Sequence, residues 1–186
     1  GAEAFAREQG IAFEDDAWFH TDYRWEQLQK ARAKAKETAA SGGTPDTWLS
    51  TVGAVALDKD GNLAAATSTG GMTNKRWGRV GDVPVIGAGT YADNESCAVS
   101  ATGHGEYFIR ATVARDICAR VQYTGASLQE AADQIVMQKL VEMGGSGGII
   151  SLDPQGHVSL TFNTPGMYRA SIDRDGRVYV GIYNDE

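Results

Sequence analysis

Two regimes of hydrophobic and polar spacing meet near residue 50. Residues 23–40 (YRWEQLQKARAKAKETAA) interleave strong helix formers with charges of both signs, which predicts a helix. Thr21 or Asp22 stands where that helix needs a cap. Residues 41–46 (SGGTPD) concentrate glycine, proline and small polar side chains and read as a loop. The first 50 residues thus read as helix plus linker, with little core of their own. From Thr51 onward the period shortens to that of strands. TVGAVALD alternates β-branched and small residues up to an Asp60-Gly61 turn, and LAAATST follows as the return strand. VPVIGAGTY and ESCAVSATG are two further strand candidates. Residues 106–122 fit a helix, and residues 127–143 fit a second, opened by Ser127 with Glu130 at capping-box spacing. Short strands are expected near 148–153, 157–162, 167–172 and 178–183, divided by DPQG, NTPG and DRDG turns. Strand runs around paired helices indicate an α+β layered domain rather than a βαβ repeat.

Composition narrows the possible functions. The chain has 186 residues, 42% hydrophobic and 22% charged, which is ordinary for a globular protein with one real core. Its net charge of −7 argues against nucleic acid as a partner, since polyphosphates select basic surfaces. No apolar run approaches the length that spans a bilayer. The sequence shows no signal peptide and opens on Gly1, which suggests a processed or truncated product. Cys97 and Cys118 are too few for a disulfide framework and read as two small buried apolar side chains. Together these features favour a reducing compartment, the cytoplasm.

Several local signals carry little. Asp58, Asp60 and Gly61 mimic the start of a calcium loop, but the remaining spacing is missing and strands flank them, so a hairpin turn is the expectation. Asp173, Asp175 and Gly176 repeat that situation. The GGSGG run at 144–148 lacks the Lys-Ser/Thr of a phosphate loop; it suits the end of a helix and a close strand approach. His20, His104 and His157 are too scattered for a metal site, and no metal is expected.

A threonine at a strand start is usually only a good β-former. Around Thr51 the context is richer: TVGAVALDKDGNLAAATSTGGMTNK, then GRVGD, then GAGTYADN, then SATGHGE. In that order these segments resemble the plant-type asparaginase and isoaspartyl aminopeptidase family of N-terminal-nucleophile hydrolases, densely over residues 51–106 and more loosely beyond. The resemblance implies a precursor that cuts itself between Ser50 and Thr51, leaving residues 1–50 as the tail of an α subunit and residues 51–186 as the β subunit. The chemistry of such a nucleophile is independently intelligible. A hydroxyl needs a base, and a freed α-amino group, with a pKa of roughly 7.7–8.0, is partly neutral near physiological pH.

The resemblance also implies the other roles. Thr69 orients the nucleophile's hydroxyl. Arg79 grips the substrate α-carboxylate with a bidentate fork, and Asp82 faces the α-ammonium. The Thr102 hydroxyl and the Gly103 N–H form an oxyanion hole, with Gly103 also leaving room for substrate. Taken alone, Thr102 could equally cap the helix that follows. Gly105 is given only a widening role, and His104 none. The implied fold is a four-layer αββα sandwich, lacking here the N-terminal part of the α subunit. The implied reaction is hydrolysis of the side-chain amide of L-asparagine or a β-aspartyl dipeptide through a threonine ester, without organic cofactor. Family α subunits hold a structural monovalent cation in a region not represented here. The partners implied are the small-molecule substrate and the remaining α-subunit segment, in an αβ heterodimer that pairs again. Two features depart from the family pattern: Ser50 stands where glycine usually precedes the cut, and the segment before Thr51 is short. They keep two alternatives in view, a glycosylasparaginase of the same fold and an uncleaved, non-catalytic remnant acting in assembly. The TGHGE segment differs from the acidic TGDGD expected of the former.

Overall fold

A computed structural model describes residues 1–41 and 49–184. The chain divides into two compact units, Gly1–Thr47 and Trp48–Glu186. The first unit contains α1 (Ala2–Glu8), a 3-10 turn (Asp16–Phe19) and α2 (Asp22–Ser41). Thr21 supplies the cap: its Oγ1 accepts the Arg24 N–H at 3.3 Å, which satisfies one orphan donor of the first turn. Gln27 is the one buried side chain described here, while Phe5, Trp18, Phe19 and Trp25 are exposed. This unit has little apolar core, as its sequence suggests. The expected loop at 41–46 lies almost wholly outside the described residues.

The second unit opens with β1 (Leu49–Leu57) and β2 (Leu63–Met72), an antiparallel hairpin. Asp58 closes the turn, its Oδ1 accepting the N–H groups of Asp60 and Asn62 at 2.8 and 2.7 Å. The side chain that mimics a calcium ligand is thus engaged as a turn acceptor. β3 (Thr90–Ala92), β4 (Ala98–Gly103), β5 (Gly147–Leu152) and β6 (Val158–Ser159) form an antiparallel sheet in that order. β7 (Arg169–Ile172) and β8 (Val178–Gly181) form a last hairpin. Between β4 and β5 come α3 (Gly105–Ala111), α4 (Val113–Thr124), α5 (Leu128–Asp133), a π-helical stretch (Gln134–Lys139) and α6 (Leu140–Glu142). The Ser127–Glu130 capping box is formed in both directions.

β4 is the buried hinge of this arrangement. Its alternate residues face opposite ways, as strand geometry requires. Val99 and Ala101 join Phe108, Val113, Ile117, Ile135, Leu140 and Ile149 in the apolar core beneath the helices. Ser100 points instead at the β1–β2 hairpin, where it meets the Thr67 hydroxyl at 2.7 Å. Gly53 of β1 lies directly over Ser100, and a Cβ there would stand 3.0 Å from the Ser100 Cβ. The hairpin, the sheet and the helices are therefore stacked in turn, with β4 in the middle.

Three expectations need correction. The helix of residues 106–122 is broken: Thr112 takes φ +47°, and α4 starts afresh after it. The break turns the first N–H groups of α4 onto the preceding loop, where Ala114 N donates to Ala88 O and Arg115 N to Gly87 O, at 3.1 and 2.8 Å. Orphan helix donors thereby find acceptors that a continuous helix would not reach. Second, VPVIGAGTY is not a strand until Thr90; residues 83–89 loop back, with Val85 N and Gly89 N both donating to Asp82 O. Third, Cys97 and Cys118 are buried as expected but joined in a disulfide. Their Cα atoms, on the approach to β4 and on α4, lie 5.2 Å apart, well within bridging reach. With both cysteines paired, the cysteine content no longer favours a reducing compartment.

Candidate active site

The β1–β2 register sets Thr51 directly opposite Thr69, and the Thr51 Oγ1 donates to the Thr69 Oγ1 at 3.2 Å. Cross-strand pairing is what brings two hydroxyls eighteen residues apart into contact. The ladder is irregular just before this pair. Leu49 opposes Met72 and Thr51 opposes Thr69, so Gly70 and Gly71 together face Ser50. One kind of bulge places a glycine at positive φ, and Gly71 takes φ +79°. Its N–H donates to Thr69 Oγ1 at 2.9 Å, tying the bulge to the hydroxyl pair.

A cavity of about 290 Å³ opens beside these hydroxyls, lined by Thr51, Thr69, Arg79, Asp82 and Gly103 among others. The sequence-predicted residues thus converge, with one qualification. Thr102 sits beside Gly103 at the end of β4 but does not itself line the cavity. Nor does Thr102 cap the next helix; His104 occupies that position, its Nδ1 3.1 Å from the Ser146 Oγ. Gly103 is demanded by crowding, since a Cβ would stand 2.5 Å from both Phe108 Cε2 and Ser146 O.

Asp82 is only 6% exposed. Burial raises its pKa, and the nearby Arg79 guanidinium partly opposes that rise. Its Oδ2 has no hydrogen-bond donor among the described residues. The returning loop makes the burial possible because Gly89 has no side chain: a Cβ there would stand 2.5 Å from Asp82 Oδ2. Gly105 performs the same service on the other side, at 2.7 Å from Oδ1 and 3.1 Å from Arg79 Nη2. Its role is close approach of the Arg79–Asp82 pair to α3, a tighter constraint than a widened pocket.

Glu106 is a participant that sequence reasoning missed. Arg79 Nε donates to Glu106 Oε1 at 2.7 Å and Nη2 to Oε2 at 3.0 Å. Arg79 hydrogen bonding lowers the Glu106 pKa, and the same pairing raises that of Arg79. The predicted fork of Arg79 is therefore half engaged within the chain, and its Nη1 side remains for a ligand. The only hint of Glu106 in the sequence is its place in the TGHGE segment, far from Arg79.

Under the hairpin runs a chain of hydroxyls. Thr90 Oγ1 donates to Thr67 Oγ1 at 2.6 Å and also lies 3.3 Å from Val83 O, while Thr67 meets Ser100 at 2.7 Å. Thr67 and Ser100 each precede by two residues a predicted site threonine, Thr69 and Thr102, so they share a strand face with it. The chain joins β2, β3 and β4 to the loop that holds Asp82.

A hydroxyl pair facing a cavity with one buried carboxylate and one guanidinium defines a site suited to a nucleophile acting on a zwitterionic amino-acid unit. The family model described as Asparaginase matches residues 1–182, and the chain belongs to that family. It is 52% identical to the isoaspartyl peptidase of Escherichia coli K12 over 189 residues, covering 100% of this chain and 59% of the relative. It is 41% identical to a putative isoaspartyl peptidase/L-asparaginase of Dictyostelium discoideum, over 98% of this chain and 63% of the relative. With the isoaspartyl peptidase/L-asparaginase of Xenopus laevis it shares 40% identity, over 100% of this chain and 58% of the relative. The chain thus spans less than two thirds of the length of these curated relatives. Among the described residues, no helix is long and apolar enough to cross a membrane.

Proposed function

We propose that this chain carries the nucleophile and aspartyl-binding half of an amidohydrolase that cleaves the side-chain amide of L-asparagine and of β-aspartyl dipeptides. The observation that carries the reading is the meeting of the Thr51–Thr69 hydroxyl pair with Arg79 and Asp82 in one cavity. The family and the names of its relatives support the same substrate class.

Thr51 is followed by a regular ladder and preceded by the bulge opposite Ser50. Cleavage between Ser50 and Thr51 would free the Thr51 amine. That amine, partly neutral near physiological pH, takes the proton of the Thr51 hydroxyl. The Thr51 Oγ1 then attacks the side-chain carbonyl carbon, and Thr69 holds that oxygen in line. The N–H of Gly103, which lines the cavity, receives the developing oxyanion; the Thr102 hydroxyl joins it in this reading by turning in from the neighbouring strand end. The proton passes to the leaving nitrogen, which departs as ammonia or as an amino acid. Water attacks the β-aspartyl ester and releases aspartate. Arg79 holds the α-carboxylate through its Nη1 side, and Asp82 faces the α-ammonium, whose charge offsets the cost of ionising a buried carboxyl.

The complete enzyme in this reading is a four-layer αββα sandwich, with helices outside two packed sheets. A further α-subunit segment completes it, and αβ pairs associate into a dimer of heterodimers. Intact mass and N-terminal sequencing of the purified protein test the central step. A fragment opening TVGAV that appears without added protease supports the reading. Uncleaved protein that still hydrolyses asparagine refutes it.

A further inference from the structure

The cavity carries one cation more than an asparagine requires. After the bulge the chain turns sharply: Asn74 takes φ +59°, and Lys75 N donates to Met72 O at 3.1 Å. The turn folds Lys75 back over Gly71. A Cβ on Gly71 would stand 3.3 Å from Lys75 Nζ and 3.7 Å from Arg79 Nη1. Two cations therefore flank one glycine, and that glycine's N–H is bonded to Thr69. Lys75 lines the same cavity as Thr51, Arg79 and Asp82. Unlike the Arg79 guanidinium, which Glu106 engages, the Lys75 ammonium has no hydrogen bond or ion pair among the described residues.

The charges can be matched against the candidate substrates. The cavity lining offers two cations, Lys75 and Arg79, and one carboxylate, Asp82. L-Asparagine presents one carboxylate and one ammonium, which Arg79 and Asp82 answer between them. A β-aspartyl dipeptide adds a second carboxylate, that of the leaving amino acid, one carbon removed from the scissile nitrogen. Lys75, beside the Thr69–Gly71 contact and away from Glu106, is the group left to meet it. Its flexible stem and compact ammonium suit a carboxylate whose position shifts with the leaving side chain.

We infer that Lys75 is a specificity-determining residue that binds the α-carboxylate of the leaving amino acid and so biases the site toward β-aspartyl dipeptides over asparagine. The inference rests on the aspartyl-amide reading above. Lys75 is exposed, so the contact is screened by salt and acts on binding more than on the chemical step.

The test is steady-state kinetics on the whole active protein with three substrates: β-Asp-Leu, its C-terminal amide, and L-asparagine. Lys75→Met keeps the stem and removes the charge. It should raise KM for β-Asp-Leu about fivefold, the upper range for an exposed ion pair, with kcat held. The increase should shrink as ionic strength rises. Asparagine and the dipeptide amide should be unaffected, and Lys75→Arg should restore most of the loss. An equal loss on all three substrates, or no loss on β-Asp-Leu, overturns the assignment. Wild-type protein that hydrolyses none of the three overturns the underlying reading instead, and this inference with it.

Discussion

Glu106 engages Arg79 along its Nε edge, at 2.7 and 3.0 Å, and thereby fixes the plane of the guanidinium facing the cavity. The carboxylate comes from α3 and the guanidinium from the loop after β2, so the pair also locks two separate segments together. Glu106→Gln should loosen the Arg79 orientation. The expected result is a KM for asparagine raised about fivefold, the upper range for a pair this exposed, with a smaller change in kcat. Unchanged kinetics would show that packing alone positions Arg79. Because Arg79 lowers the Glu106 pKa, the pair's contribution is intact above the ordinary glutamate range and fades as pH falls through the depressed value.

The Thr51–Thr69 contact predicts a loss confined to the chemical step. Thr69→Val keeps a β-branched side chain in β2 but removes the hydroxyl oxygen that accepts the Thr51 hydrogen bond. A misaligned nucleophile costs about a hundredfold in rate, and kcat should fall by that order while KM holds. Single-turnover kinetics on cleaved protein provide the measurement. A raised KM with normal kcat would move Thr69 from orienting the nucleophile to binding substrate.

Asp82 predicts opposite effects on activity and on stability. Its folded-state pKa is raised, so the folded protein binds that proton more tightly than the unfolded chain. Ionisation of the unliganded site is therefore destabilising, and the penalty grows as pH rises through and above the ordinary carboxylate range. Asp82→Asn should abolish useful turnover yet melt at a higher temperature than wild type at neutral pH. The difference should narrow under acid conditions. A variant less stable than wild type at neutral pH would show that the attraction of Arg79 outweighs the cost of burial.

The Cys97–Cys118 bridge ties the approach to β4 to α4 across a sequence separation of 21 residues. Closing a loop of that length stabilises by about 3 kcal/mol in the chain-entropy account. The double variant Cys97→Ala/Cys118→Ala should melt several degrees lower than the oxidised protein. Peptide mapping without reductant should recover the two segments as one linked species. Separate peptides from protein purified without reductant would show that the thiols stay apart.

The architecture was legible where local signals agreed with tertiary demands. The Asp60-Gly61 hairpin, the Ser127 capping box and the helix of residues 23–40 all follow from short-range chemistry. The failures share one cause. In VPVIGAGTY the alternating apolar residues suggest a strand, but the segment instead wraps Asp82, using Gly89 to let the backbone close in. The break at Thr112 has no sequence signal, since threonine rarely takes positive φ. It exists because the first donors of α4 find the carbonyls of that same wrapped loop. Thr51, Thr69, Arg79, Asp82 and Gly103 were legible only through motif resemblance, and the structure places them around one cavity. Glu106 and Lys75 escaped because their meaning lies in contacts that no spacing encodes. The Cys97–Cys118 pairing has no signature in the spacing because it depends on where β4 and α4 come to rest.

The bulge opposite Ser50 bears on what happens to the hairpin if the chain is severed there. On one side of the Ser50–Thr51 bond, pairing continues without interruption from Thr51 to Leu57. On the other side, among the described residues, Leu49 alone is paired, opposite Met72, beyond the bulge. A cut at that bond therefore divides the strand at a seam already present in its hydrogen bonding. Among the described residues a single pairing holds the severed upstream end, while the new terminus keeps its full anchorage on β2 from Thr51 to Leu57. The Thr51 amine would appear already docked beside Thr69, at the head of a strand whose anchorage does not depend on what precedes the cut.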